Sequence, residues 1–234
     1  KAKLVYAIKE GGWAVLNGDD DKVLSLNTKT KANVLTYGFS KGLDLTASNY
    51  KMTRDGITFK VDYRGNMMPI RLHNLFGKHH VYIALASLAA GVSQGLNLIK
   101  ISELLSSARP LAGRLNLIEG VKNSLIFDDT YNSSPIALEA AIETLAEFPA
   151  KRKMAVLGDM LELGRYTAEA HKEAGRIICE KKIDLLFAVG PRSKFTAQEA
   201  KERGFDARNI FEFSSADEAG EAIKEKIQEG DLIL

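Results

Sequence analysis

The second half of this chain alternates strand and helix, and no other feature constrains the fold as strongly. Short apolar runs stand near 124–127, 153–157, 184–189, 210–213 and 231–234, with helically spaced stretches between them. A helix between two strands brings the chain back to the edge where it started, so the strands pair in parallel. Buried strands of this kind read as near-continuous apolar runs and need helices on both faces. Residues 108–234 are therefore expected to form a Rossmann-like α/β domain built on a parallel sheet.

The first half is written differently. Residues 1–10 have the spacing of a helix that stops at Gly11-Gly12. Strands are expected at 13–16 and 32–38. Three strand-like runs then cover 45–53, 57–63 and 67–72, separated by Arg54-Asp-Gly56 and Arg64-Gly-Asn66. The Asp-Gly and Gly-Asn pairs make both separators hairpin turns, so the three runs form an antiparallel meander. Helices follow at 78–90 and 99–106, the first with Ala84, Leu85, Leu88 and Ala89 on one close-packing face. No periodic pattern crosses 106–113, and Pro110 and Gly113 interrupt it. Residues 1–107 are expected to be part of a mixed-sheet α/β domain, the second domain beginning at 108.

Composition closes off several functions. Of 234 residues, 45% are hydrophobic and 26% charged, the balance of a globular protein. A net charge of +2 offers no basic excess for nucleic acid or a membrane surface. One cysteine, Cys179, leaves no internal disulfide and no cysteine-built metal site. No apolar run approaches the roughly 18 residues of a membrane span. The sequence has no G-x-x-x-x-G-K-[ST] and no G-x-G-x-x-G after a strand. The abrupt start at Lys1 and the strand only beginning at Asp231-Leu-Ile-Leu234 suggest a piece of a longer protein.

The most suggestive stretch is Leu125-Ile-Phe-Asp-Asp-Thr-Tyr-Asn-Ser-Ser-Pro135. An apolar strand delivers Asp128 and Asp129, then Thr130, Tyr131, Asn132 and two serines, to a helix with Pro135 at its first position and Ser134 as cap. Ligands of open α/β sheets bind off the carboxyl ends of strands. The alternative is a solvated, capped turn. Gly158-Asp-Met-Leu-Glu-Leu-Gly164 leaves the same edge of the sheet, where Asp159 and Glu162 suit an ammonium group or a positioned water, or Asp159 caps a helix. Asn17-Gly-Asp-Asp-Asp21 reads as a helix cap by default. Arg114 stands at the domain junction, either as an anion clamp or as an ion-pair partner. His79 and His80 lack the spacing of a metal pair, and His171 reads as a structural residue within a helix.

Taken in order, Ala14-Val-Leu-Asn-Gly-Asp-Asp20, Gly77-Lys-His79, Gly113-Arg114, the Asp128–Pro135 stretch and the Gly158–Gly164 loop resemble the Mur ligases of peptidoglycan synthesis. Among these the likeness is to the MurF type, which joins D-alanyl-D-alanine to UDP-N-acetylmuramoyl-tripeptide through an acyl phosphate. The resemblance implies the latter part of a central ATP-binding domain, then a C-terminal domain truncated at its end. The P-loop and the UDP-sugar site would lie upstream, so this piece alone would be inactive. It implies ATP and Mg2+ as cofactors, those two substrates as partners, a cytoplasmic monomer, and no nucleic acid or membrane insertion. By position, Lys1 corresponds to a carbamylated lysine that helps hold magnesium, Arg114 and Asp129 to nucleotide-binding residues, and Asn132 to the polar residue near the phosphates and incoming amine. Asp128, Tyr131 and Asp159 would line the D-alanyl-D-alanine side. One departure stands out. Where the family has His-Asn-x-x-Asn, this chain has His79-His80-Val-Tyr-Ile83, so adenine contact would be weakened, pass to His80 or move elsewhere. A related carboxylate–amine ligase of the folylpolyglutamate or cyanophycin synthetase type, and a non-catalytic nucleotide- or partner-binding module, are the competing readings.

Overall fold

The computed structural model describes residues 2–234. The assignment made for Lys1 lies outside the described residues. The chain divides into two compact units, the first ending at Arg109 and the second starting at Pro110.

The first unit runs α1 (Ala2–Tyr6), β1 (Trp13–Asn17), α2 (Asp21–Leu24), β2 (Asn33–Gly38), β3 (Leu45–Thr53), β4 (Gly56–Tyr63), β5 (Asn66–His73), α3 (Lys78–Ser93) and α4 (Leu98–Ser106). Its five strands lie in sequence order. The β1–β2 and β2–β3 pairs are parallel and β3–β4–β5 is the antiparallel meander that the turn signals predict. Tyr63 pairs with Asn66, which leaves Arg64 and Gly65 as the two turn residues, both left-handed at φ 53° and 79°. That is the geometry whose twist matches a right-twisted hairpin. Along β4 and β5, Ile57, Phe59, Val61, Ile70 and Leu72 point inward and meet Val81, Ala84, Leu85, Leu88 and Ala89 of α3. The buried positions of α3 recur at helical spacing, as the sequence indicates. Each such large side chain contributes about 1.5–3 kcal/mol by leaving water.

The acidic loop after β1 has two separate jobs. Asp20 caps α2, accepting hydrogen bonds from the Lys22 and Val23 amides at 2.9 and 3.1 Å. Asp19 reaches across to the end of β2, taking the Phe39 and Ser40 amides at 2.6 and 3.0 Å and the Tyr82 hydroxyl of α3 at 2.9 Å. Burial alone would raise the Asp19 pKa, but these donors outweigh it and hold the carboxyl below its usual range. The Tyr82 hydroxyl is correspondingly pushed up to about 12, by burial first and then by the Asp19 carboxylate. Where α3 opens, the His79 and His80 rings lie 4.2 Å apart. The Nδ1 of His79 is buried and has no hydrogen-bond partner among the described residues. Burial, with the neighbouring His80 second, drives His79 from 6.5 to about 4, so it is neutral at pH 7.

The second unit runs β6 (Asn116–Glu119), β7 (Leu125–Asp128), α5 (Pro135–Glu147), β8 (Arg152–Leu157), α6 (Thr167–Glu180), β9 (Leu185–Val189), α7 (Lys194–Glu202), β10 (Ile210–Phe213), α8 (Ala216–Lys226) and β11 (Asp231–Ile233). The sheet order is β10-β9-β8-β11-β7-β6. The five strands expected from the alternation are mutually parallel. The sheet as a whole is mixed, because β6 pairs antiparallel with β7 at its edge. Asn116-Leu-Ile-Glu119 has only two apolar residues, too few to register as a period-2 strand. Ile223 and Ile227, at the end of α8, pack with Met154, Leu185, Phe187 and Ile233. The alternate strand residues, Ala155, Leu157, Leu186, Ala188 and Leu232, are buried too, as are residues of α5, α6 and α7. The strand period of two thus divides one apolar sequence between two helical layers.

Charged side chains fasten the amino edge of this sheet. Arg152 and Asp231 are register partners on β8 and β11, joined bidentately at 2.9 and 2.6 Å. Asp231 is 2% exposed and also accepts the Gln228 amide at 2.7 Å. Arg152 donates to the Lys226 carbonyl, and Lys122 to those of Lys224 and Ile227. Two cations therefore satisfy the last carbonyls of α8, at its negative end.

Two predictions follow from these contacts. Asp231→Ala leaves the Arg152 guanidinium and the Gln228 amide without their acceptor at once. It should cost on the order of 3 kcal/mol, read as a lowered denaturation midpoint; an unchanged midpoint would show the pair to be idle. For His79, the unfolded chain takes up a proton near pH 6.5, which the folded chain resists until about 4. Stability should therefore fall as pH drops through that window. His79→Gln, with no titrating group, should flatten the slope; an identical slope in the variant would refute the assignment.

Candidate functional site

The antiparallel pairing of β6 with β7 builds the site. Asn116, the first residue of β6, is the register partner of Asp128, the last residue of β7. Residues 113–115 are therefore delivered to the carboxyl end of β7, beside the loop that leaves it. Three backbone contacts lock the two segments together. The Gly113 amide donates to Asp128 Oδ2 at 3.2 Å, the Leu115 amide to Asp129 Oδ1 at 3.0 Å, and the Tyr131 amide to the Gly113 carbonyl at 3.1 Å. Gly113 has φ 69°, and a Cβ on it would stand 3.0 Å from the Tyr131 nitrogen. Leu115 is also left-handed, at φ 50°, an uncommon state for a branched residue.

The sequence-predicted residues of this stretch take different parts. Asp128 is committed to the loop: Oδ2 holds Gly113, and Oδ1 accepts the Thr130 amide at 3.2 Å and hydroxyl at 2.6 Å. Asp129 uses one oxygen on Leu115, while Oδ2 has no hydrogen bond among the described residues. Burial pushes the Asp129 carboxyl above its ordinary 3.8; the Leu115 amide and the Arg114 guanidinium oppose the rise, and Asp128 adds to it. The Arg114 guanidinium lies over the Tyr131 ring, its carbon 4.1 Å from the centroid. Its side chain makes no ion pair or hydrogen bond among the described residues. Asn132 is exposed. Ser134 occupies the cap position of α5 with Pro135 at the first helical position, but among the described residues its side chain makes no capping bond; its carbonyl accepts the Leu138 amide.

The loop after β8 is tied down at two points. Asp159 caps the turn that opens α7, not a helix of its own loop. Its Oδ1 accepts the Arg192 and Ser193 amides, both at 2.9 Å, and the Ser193 hydroxyl at 3.2 Å, while Oδ2 lies 3.4 Å from the Arg192 guanidinium. This is possible because β8 and β9 are neighbours, so their carboxyl-end loops touch. Gly190 makes the space: its φ is 102°, and a Cβ there would sit 2.7 Å from the Asp159 carboxylate. His171, 1% exposed, is the second fastener. Its Nε2 accepts the Met160 amide at 3.1 Å, which places the ring proton on Nδ1, 2.8 Å from the Thr167 carbonyl. Between these ties, Leu161 and Glu162 are exposed, and Glu162 is left-handed at φ 61°.

In the first unit, His80 Nδ1 lies 2.6 Å from the Phe76 carbonyl and must carry the proton. Its Nε2 is then an acceptor only, where an asparagine amide could both donate and accept. Burial lowers its pKa, against that hydrogen bond, so the neutral form is favoured. Among the described residues no three His, Cys, Asp or Glu side chains gather as a metal site, and no helix is long and apolar enough to cross a membrane. The carboxyl edge of β7 thus offers a carboxylate oxygen suited to ligand hydroxyls and a guanidinium suited to an anion. The linear sequence shows neither the hold of 113–115 on this loop nor that of Asp159 on Arg192 and Ser193. The glycines at 113 and 190 are their only trace.

Comparison with known proteins agrees with this architecture. Residues 1–91 match the family described as Mur ligase middle domain, and residues 113–234 match Mur ligase, glutamate ligase domain. The UDP-N-acetylmuramoyl-tripeptide–D-alanyl-D-alanine ligase of Bacillus subtilis is 31% identical over 235 residues, covering 100% of this chain and 50% of the relative. The Escherichia coli ligase of the same name is 31% identical over 196 residues, 82% of this chain and 43% of the relative. A crystal structure of MurF from Acinetobacter baumannii superposes with a TM-score of 0.86 at 25% identity, over 100% of this chain and 50% of that one. MurF from Thermotoga maritima in complex with ADP has the same fold, with a TM-score of 0.80 at 24% identity over 99% of this chain and 51% of that one. The chain spans about half the length of the curated relatives it matches. With family matches over most of its length and a shared fold, this chain belongs to the Mur ligase family.

Proposed function

We propose that this chain supplies the latter part of the central domain and the C-terminal domain of a MurF-type ligase. The full protein would use ATP to activate the carboxylate of UDP-N-acetylmuramoyl-tripeptide as an acyl phosphate and pass it to the amine of D-alanyl-D-alanine. The observation that carries this reading is the Bacillus subtilis ligase of that name, 31% identical along the whole of the chain. A cytoplasmic, monomeric enzyme fits the reading.

Within it, Asp129 and Arg114 hold the nucleotide. The free Oδ2 of Asp129 accepts from the ribose hydroxyls. Its other oxygen, bound to the Leu115 amide, fixes the carboxylate plane. Arg114 meets phosphate oxygens with its in-plane N–H groups. Asn132, exposed on the same loop, faces the phosphates and the incoming amine. Asp128 and Asp159 act by shaping: their oxygens are already engaged by backbone amides, so they set the two loops between which the dipeptide is received. His80 Nε2, an acceptor, suits the exocyclic amine of adenine. Magnesium, which the reaction class uses to neutralise phosphate charge, finds no ready cluster among the described residues, and none of these roles depends on it.

The full-length protein, given ATP and UDP-N-acetylmuramoyl-tripeptide, should release ADP when D-alanyl-D-alanine is the amine. Release driven instead by glutamate, diaminopimelate or L-alanine would overturn the assignment. Asp129→Asn tests the site itself. The amide still accepts from Leu115 but has lost its charge, so the KM for ATP should rise roughly tenfold or more, the loss expected for a hydrogen bond to a charged group. Stability should not fall. The wild-type carboxyl holds its proton more tightly folded than unfolded, so its ionisation disfavours the fold as pH rises from 3.8 to the raised folded value. The variant should lack that decline. Loss of stability with unchanged ATP dependence would return the loop to the role of a capped turn.

A further inference from the structure

Tyr131 is 72% exposed, on a loop and away from any core, so its ring has no evident part in folding. Its position is nevertheless fixed. The Tyr131 amide is bonded to the Gly113 carbonyl at 3.1 Å, and Gly113 and Leu115 on either side of Arg114 are held by Asp128 and Asp129. These bonds place the ring under the Arg114 guanidinium, 4.1 Å from centroid to guanidinium carbon. A guanidinium can be steadied in two ways. An ion pair occupies its N–H donors, which lie in the plane. An aromatic stack uses only the face and leaves every in-plane donor available. Arg114 is held in the second way, with no acid paired to it among the described residues. Another exposed arginine–tyrosine pair in this unit shows the contrast: Arg165 lies over the Tyr166 ring at 4.9 Å but also donates to the Tyr166 hydroxyl at 2.7 Å.

We propose that Tyr131 is a positioning residue whose ring holds the Arg114 guanidinium at the carboxyl edge of β7 with its donors unengaged, ready for the phosphate groups of a nucleoside triphosphate. This rests on the nucleotide reading above and adds to it the means by which an exposed, flexible side chain is ordered before the ligand arrives. The ring acts through its face, so the hydroxyl is dispensable. Ordering one long side chain in advance removes an entropic penalty from binding, and an exposed cation–π contact corresponds to a population bias of about threefold to fivefold.

The test uses the full-length protein, with ATP binding followed by calorimetry, kcat and KM by ADP release, and thermal denaturation as control. Tyr131→Phe keeps the ring face and should retain the wild-type affinity for ATP. Tyr131→Leu should weaken ATP binding by about threefold to fivefold, chiefly in KM, with the denaturation temperature unchanged. In an Arg114→Ala background, itself weakened by about tenfold to a hundredfold, Tyr131→Leu should have no further effect. Equal losses from Tyr131→Leu in both backgrounds would overturn the proposal, because the ring would then act without Arg114. Full ATP binding by Tyr131→Leu beside a weakened Arg114→Ala would overturn it too, leaving the nucleotide reading intact. If Arg114→Ala itself bound ATP normally, the nucleotide reading would fail and the proposal with it.

Discussion

The antiparallel pairing of β6 with β7 is the constraint on which the site depends. Every other pairing in the C-terminal sheet is parallel, and a parallel neighbour would begin at the amino edge of the sheet, away from the loops. Only an antiparallel strand can bring its own entry segment to the carboxyl edge. Because Asn116 pairs with Asp128, the segment 113–115 arrives beside the Asp128–Asn132 loop with its amides free to be claimed. Two left-handed residues, Gly113 and Leu115, then turn those amides toward the acids. A single register thereby places Arg114, Asp129 and Tyr131 together.

The same device recurs elsewhere in the chain. Asp19, Asp128, Asp159 and Asp231 all accept backbone amides as well as side-chain donors. A short carboxylate can close a loop with two oxygens and about four lone pairs, and its charge makes each bond stronger than a neutral one. Such acids are easily mistaken for ligand groups in a sequence, since they stand at strand ends where ligand groups also stand. Asp129 differs from the other four-lone-pair fasteners in that one of its oxygens remains unengaged among the described residues, and that difference is visible only in three dimensions.

Much of the architecture was legible because it is written in local periodicities. The meander from β3 to β5 announced itself through alternation and two glycine turns. The buried stripe of α3 and the five parallel strands of the C-terminal sheet followed from spacing alone. Strand β6 was missed because a four-residue edge strand carries too little pattern, and its discovery changes the C-terminal sheet from parallel to mixed. The partners of Asp159 were invisible for another reason. Arg192 and Ser193 lie more than thirty residues further along the sequence, and only the adjacency of β8 and β9 brings them into reach. Ser134 shows the reverse error, a sequence signature for capping whose side chain makes no capping bond.

The energetics of the site point the same way as its geometry. Asp128 and Asp129 are adjacent acids, and burial makes the ionised form of Asp129 unfavourable. An unsupported carboxylate there would be an expense with no structural return, because an asparagine could keep the Leu115 bond. Arg114 offsets part of the charge while its donors stay uncommitted, and Tyr131 steadies Arg114 without using them. Acid, cation and ring thus form a set in which each member leaves the next one free to meet a ligand. A loop optimised only for folding would instead have paired Arg114 directly with Asp129, neutralising both.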